Sequence, residues 1–170
     1  MDVIENGLNA GADLVTLAIV EDKKEDRLRI TITDNGRGIP DYMLDRVVDP
    51  FFTTRSTRRV GLGLSLIREA SRRCGGEFTI KSREGKGTEV RVSFRLGHID
   101  LAPLGDMGGS LTCLIMGNPG VDFVYTHEVD GRVFHLDTRD VKKELDGFPI
   151  NNPKVLKYLA DIIRDSLAGL

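Results

Sequence analysis

Glycine-rich turns that follow one another at short range constrain this chain more than any other feature. DNGRGIP (Asp34 to Pro40) is followed by DPFFTTR (Asp49 to Arg55) and then by GLGLS (Gly61 to Ser65). A carboxylate at a strand end, followed by small residues, lets a flat group approach the backbone closely. Because an ionised carboxylate only accepts hydrogen bonds, Asp34 favours a partner that donates. An aromatic pair inside a polar, arginine-bearing loop (Phe51 and Phe52, with Arg55, Arg58 and Arg59) needs a purpose other than solvation. The arginines suit phosphate oxygens. Gly61, Leu62, Gly63 and Leu64 open a helix expected to run through Arg73, and the free N–H groups and dipole of such a helix start favour an anion. No GK[ST] follows, so this is not a Walker loop.

Upstream, residues 2–10 place Val3, Ile4 and Leu8 on one helical face and Asp2, Asn6 and Asn9 on another. One face can be buried while the other meets a ligand. Leu14 to Val20 and Arg27 to Thr33 alternate as a hairpin around EDKKED, and the second strand delivers Asp34. Asp41 to Val48 suits a short helix. Beyond Gly75-Gly76, Glu77 to Ser82 and Thr88 to Phe94 alternate as two further strands around EGKG.

Taken with ENGLNAGA (Glu5 to Ala12), these motifs resemble the ATP-binding domain shared by gyrase, Hsp90, sensor histidine kinases and MutL, over roughly residues 1–96. The resemblance implies a two-layer α/β sandwich, a mixed sheet with helices on one face, that binds Mg-ATP. It implies that Asp34 accepts from the adenine amino group, that the Thr88 hydroxyl of the GxGT turn supports Asp34, and that Asn6 binds Mg2+. Gly36, Gly38, Ile39, Asn9, Phe52, Arg55, Gly61, Leu62, Gly63 and Leu64 complete the implied nucleotide contacts. Magnesium suits such a place, since it takes few protein oxygens and keeps phosphate and water as its other ligands.

Two departures bear on chemistry. Hydrolysing members carry a general-base glutamate where this chain has Asp2, one methylene shorter and so poorly placed to reach an attacking water. Arg59 occupies the place of a further kinase glycine, which implies a stiffer lid or one pinned to phosphate. The chain also begins inside the Asn6 motif, which leaves a truncated N-terminus open. ENGLNAGA is closer to MutL, whereas PFFTTR and GLGLS are closer to the kinases. Three functions therefore stay open: a kinase acting in trans on a partner protein, a slow ATPase with conformational coupling, and a non-catalytic ATP sensor.

The domain with the resemblance is expected over residues 1–97, a Pro- and Gly-containing linker over 98–109, and a small α+β unit over 110–170. In that unit Leu111 to Met116, Val121 to His127 and Arg132 to Leu136 read as strands, with Asp130-Gly131 as a hairpin turn. Asp137 can cap a short helix that ends at Gly147, and Asn152-Pro153 opens the last helix. Its apolar stripe, Val155 to Leu167, is core or a homodimer contact.

With 29% charged residues and no apolar run near the roughly 18 that span a bilayer, a cytoplasmic protein without membrane contact is expected. A net charge of -2 and a mixed-sign final helix argue against nucleic acid as partner. Cys74 and Cys113 form no CxxC motif and read as reduced thiols. Cys113, His127 and His135 match no zinc spacing.

Overall fold

A computed structural model describes residues 1–44, 46, 47 and 63–170 of the chain. Among these, α1 (Asp2–Asn9), β1 (Leu14–Asp22), β2 (Arg27–Asp34), α2 (Gly63–Arg73), β3 (Phe78–Arg83) and β4 (Gly87–Arg95) follow the expected order. A 3-10 turn at Asp41–Met43 stands where a short helix was expected. They are followed by α3 (Met107–Gly117), β5 (Asp122–Val129), β6 (Arg132–Asp137), α4 (Thr138–Glu144) and α5 (Pro153–Ala168).

The strands form one six-stranded sheet in the order β3-β4-β2-β1-β5-β6. Only the β1–β5 pairing is parallel, with Leu14 opposite Asp122 and Leu17 opposite Tyr125; the others are antiparallel. β5 and β6, expected in a C-terminal unit, thus extend the sheet from its β1 side. Alternation then separates the two faces. Ile80, Val90, Ile32, Val15, Phe123 and their neighbours on the same strands share one face and join Val3, Ile4, Leu64, Leu111, Leu156 and Ile163 of the helices in one core. The opposite face carries Thr16, Ala18, Thr31, Thr126 and Arg91 and has no helix over it among the described residues. The expected two layers, with helices on one face, are present.

One expectation is corrected. Leu111 to Met116 is not a strand but the body of α3. Asp106 caps this helix by accepting from the Gly109 amide at 2.9 Å, and Leu111, Leu114 and Ile115 recur at helical spacing toward α5. Asp106 also holds Arg164 of α5 through two charged hydrogen bonds. Those bonds pull its carboxyl down to about 2. Since the folded value lies below the ordinary carboxylate value, the stabilisation is present above about pH 4 and lost as pH falls through about 2. Close approach of α3 and α5 is possible because position 108 is glycine: a Cβ there would lie 2.7 Å from the Ala160 carbonyl oxygen.

A buried polar line ties the outer strands to the body of the sheet. Tyr125, 1% exposed, hydrogen-bonds His127 Nδ1 at 2.7 Å, and His127 Nε2 meets Glu21 of β1 at 2.8 Å. Each polar atom is satisfied, which is what makes burial of such a group tolerable. Cys74 is buried and Cys113 exposed, both as free thiols. Among the described residues no helix is long and apolar enough to cross a membrane, and no cluster of His, Cys, Asp or Glu could hold a metal ion.

Candidate nucleotide site

Asp34 ends β2 and is 9% exposed, with Val15 and Thr88 as its register neighbours on β1 and β4. The surroundings of this carboxylate are small. A Cβ on Gly7 of α1 would lie 2.7 Å from Asp34 Cβ, so α1 crosses the end of β2 at a distance only glycine permits. On the other side a Cβ on Gly87, whose φ is +89°, would fall 1.9 Å from the Asp34 carbonyl oxygen. Burial pushes the Asp34 pKa up, and hydrogen bonds from the Gly36 and Thr88 backbone partly offset that. Gly36 N donates to Oδ1 at 2.9 Å.

The loop after Asp34 is held from three directions. Asn35 Oδ1 accepts from the Asp13 and Leu14 amides at 3.0 Å, securing the start of β1. Arg37 N donates to Ala10 O at 3.0 Å, and Gly85 N donates to Arg37 O at 2.7 Å. Ile39 N donates to Ser82 Oγ at 2.8 Å. The glycines here serve packing. A Cβ on Gly36 would meet Ala10, and one on Gly38, at φ +69°, would lie 2.1 Å from the Arg83 carbonyl oxygen. The Cβ positions of Gly36 and Gly38 thus face neighbouring protein.

At the other end, Asp2, Asn6 and Asn9 lie on the exposed side of α1, while Val3, Ile4 and Gly7 are buried. Asn9 Nδ2 donates to Glu5 O at 2.7 Å, within its own helix. A Cβ on Gly63 would lie 2.6 Å from Asp2 Cβ, so the first turn of α2 rests against the first turn of α1. Leu64 points into the core and is 9% exposed. Thr88 Oγ1 lies 2.8 Å from Ser82 Oγ. The structure thus places Asp2 beside Gly63, and Asp34 with Gly36 and Thr88 beside Gly7 of α1. Phe52, Arg55, Gly61 and Leu62, with Arg58 and Arg59, lie outside the described residues.

Gly7 and Ser82 were not among the expected site residues. A glycine inside a helix costs about 1 kcal/mol relative to alanine, and that local inconsistency is the signal Gly7 left in the sequence. Ser82 left none, being one polar residue in an alternating strand.

Residues 1–98 match the family described as histidine kinase-, DNA gyrase B-, and HSP90-like ATPase. A putative sensor protein of Shewanella frigidimarina is 34% identical over 102 residues, covering 59% of this chain and 16% of that protein. Sporulation kinase A of Bacillus subtilis is 31% identical over 94 residues, or 55% of this chain and 15% of the kinase. The chain therefore spans only a small part of the relatives' length. Among solved structures, the MutL ATPase domain of Aquifex aeolicus, complexed with ADP, aligns with a TM-score of 0.53 at 20% identity, over 85% of this chain and 66% of that one. The N-terminal domain of a DNA repair protein aligns at 0.56 with 15% identity, over 80% and 50%. These two likenesses concern the fold. From the match over residues 1–98, the chain belongs to the histidine kinase-, DNA gyrase B- and HSP90-like ATPase family.

Proposed function

We propose that this protein binds Mg-ATP beside α1 and uses the nucleotide to regulate or phosphorylate a partner protein in the cytoplasm. The observation that carries the reading is Asp34: a carboxylate buried between glycines, anchored by backbone amides and in register with Thr88. Being an acceptor only, it would take a hydrogen bond from the adenine amino group and disfavour guanine, whose corresponding atom is an oxygen acceptor. The N-terminal end of α2, against Asp2, would turn the positive end of its helix dipole to the phosphates. Arg55, earlier in the sequence, would add charge.

The oxygen donors on the exposed side of α1 suit a hard cation, and Asn6 is the residue that would hold magnesium. When bound, the ion neutralises phosphate charge. In a titration of the purified chain with ATP, affinity is expected to rise when Mg2+ replaces EDTA. Asn6→Ala is expected to lose that rise while keeping the parent's ADP affinity in EDTA. Absence of ATP binding by the parent under both conditions would refute the reading as a whole. A parent-like response to Mg2+ in Asn6→Ala would refute only the metal assignment.

A weakly hydrolytic or purely sensing role is favoured by the length of the Asp2 side chain. Beside the start of α2, it is one methylene shorter than the glutamate of the hydrolysing members, which shortens its reach toward an attacking water. If reach is the defect, Asp2→Glu accelerates phosphate release, since a positioned base contributes about 10²–10⁴-fold. Slow release in the parent is expected. Fast parental release that collapses in Asp2→Ala would instead make Asp2 a working base.

A further inference from the structure

Ser82 sits where β3, the loop after Asp34 and the Gly87-Thr88 turn meet, and its hydroxyl has more partners than hydrogens. Ile39 N donates to Ser82 Oγ at 2.8 Å. Ser82 Oγ donates to the Gly87 carbonyl at 2.8 Å. A hydroxyl carries one hydrogen, and a carbonyl can only accept. With that hydrogen on Gly87 O, the 2.8 Å contact between Ser82 Oγ and Thr88 Oγ1 is a hydrogen bond only if Thr88 donates. The Thr88 hydroxyl hydrogen is thereby turned toward Ser82, and only its oxygen lone pairs remain for anything beside Asp34.

We propose that Ser82 is a positioning residue for nucleotide selectivity: it fixes the Thr88 hydroxyl as an acceptor, so that Asp34 and Thr88 together admit a purine whose 6-position donates and reject one whose 6-position accepts. The inference rests on the ATP reading given above and deepens it. Thr88 lies opposite Asp34 in the β2–β4 register, so the two acceptors face the same ligand edge, directly or through a water. Without the Ser82 hydroxyl, Thr88 is free to rotate and donate. An oxygen at the purine 6-position then finds a donor, and discrimination relaxes.

Inosine triphosphate is the probe, because it differs from ATP in carrying a 6-oxo group, and with it a hydrogen on N1, in place of the 6-amino group. Affinities for ATP and inosine triphosphate are measured by calorimetry on the full chain, with Ser82→Ala, Ser82→Thr and Thr88→Val as variants. The parent is expected to prefer ATP, and Ser82→Ala to narrow the ratio of the two affinities by about ten-fold, one modest hydrogen bond's worth. Ser82→Thr, which restores the hydroxyl, is expected to bring the ratio back. Thr88→Val should narrow the ratio too, and adding Ser82→Ala to it should change nothing more, because the two act through one hydrogen bond.

An unchanged ratio in Ser82→Ala, with both affinities lowered together, would reduce Ser82 to a structural strut and overturn the proposal. So would an additive effect in the double variant. If Ser82→Ala fails to fold, Ser82→Thr and Thr88→Val still decide, since an undiminished preference for ATP in Thr88→Val removes the acceptor on which the proposal depends. A parent that binds neither nucleotide would fail the ATP reading itself, an outcome distinct from a parent that prefers ATP without the help of Ser82.

Discussion

Asp34→Asn is expected to lower ATP affinity by about 1–3 kcal/mol, roughly five- to 150-fold, without lowering the thermal midpoint. Asparagine keeps one oxygen to accept from Gly36 N, so the turn survives. It replaces the other oxygen with a donor that meets the adenine amino group donor to donor. Stability moves the other way. Burial raises the Asp34 pKa, so the folded chain binds a proton there more readily than the unfolded chain does. Stability therefore falls as pH rises from the ordinary carboxylate value to the raised one, and above that window the buried charge is a standing cost. Asparagine removes it. For ligand binding the sign is opposite: acidification through the same window protonates Asp34 and weakens ATP, whereas the asparagine variant stays flat. Calorimetry across this pH range reads both effects, and equal ATP affinity in parent and variant near pH 7 would exclude the adenine assignment.

The second large effect is expected at Gly87. An alanine there meets the Asp34 carbonyl oxygen at 1.9 Å and must also hold φ at +89°. The left-handed backbone alone costs about 1–2 kcal/mol for a residue with a Cβ, and relief of the clash requires β4 to move away from β2. A loss above about 4 kcal/mol is expected, large enough to leave the chain mostly unfolded if its stability lies at the low end of the usual range. Gly117→Ala is the control, since nothing lies within 4 Å of a Cβ there and the residue closes a helix. That change should be neutral or slightly stabilising. Urea midpoints measure the contrast. If Gly87→Ala unfolds within about 0.5 kcal/mol of the control, the backbone contact at Asp34 is looser than described.

How far the sequence foretold this structure depended on whether the deciding interaction was local. The strands through Arg95 and the helices α1, α2, α4 and α5 announced themselves by alternation, helical spacing and caps, all written within a few residues of the element concerned. Asp34 was legible because a strand ending in Asp-Asn-Gly is a local pattern. The misreading of α3 has a physical origin. LTCLIM is apolar but for Thr112 and fits a strand or a buried helix equally, and the features that decided it, the Asp106 cap and the α5 face, lie outside those residues. The parallel pairing of β1 with β5 was invisible for the same reason, as no turn links them. At the site, the packing need for Gly36 and Gly38 was not legible, since the neighbours that a Cβ would meet, Ala10 and Arg83, come from distant parts of the chain. Ser82 could be found only with the partners of its hydroxyl in view.

The parallel β1–β5 ladder also has a consequence for synthesis. During translation β1 can pair with β2 at once, but its other side stays bare until Asp122 and the residues after it have left the ribosome. Throughout that interval the nascent chain presents a row of unpaired amides and carbonyls beside Val15, Leu17 and Ile19, the arrangement on which strands of other chains recruit and aggregate. A fragment cut where the family match ends, at residue 98, would remain permanently in that state. Excising the ATPase portion for study thus creates a sticky edge that the intact chain covers with its own C-terminal third.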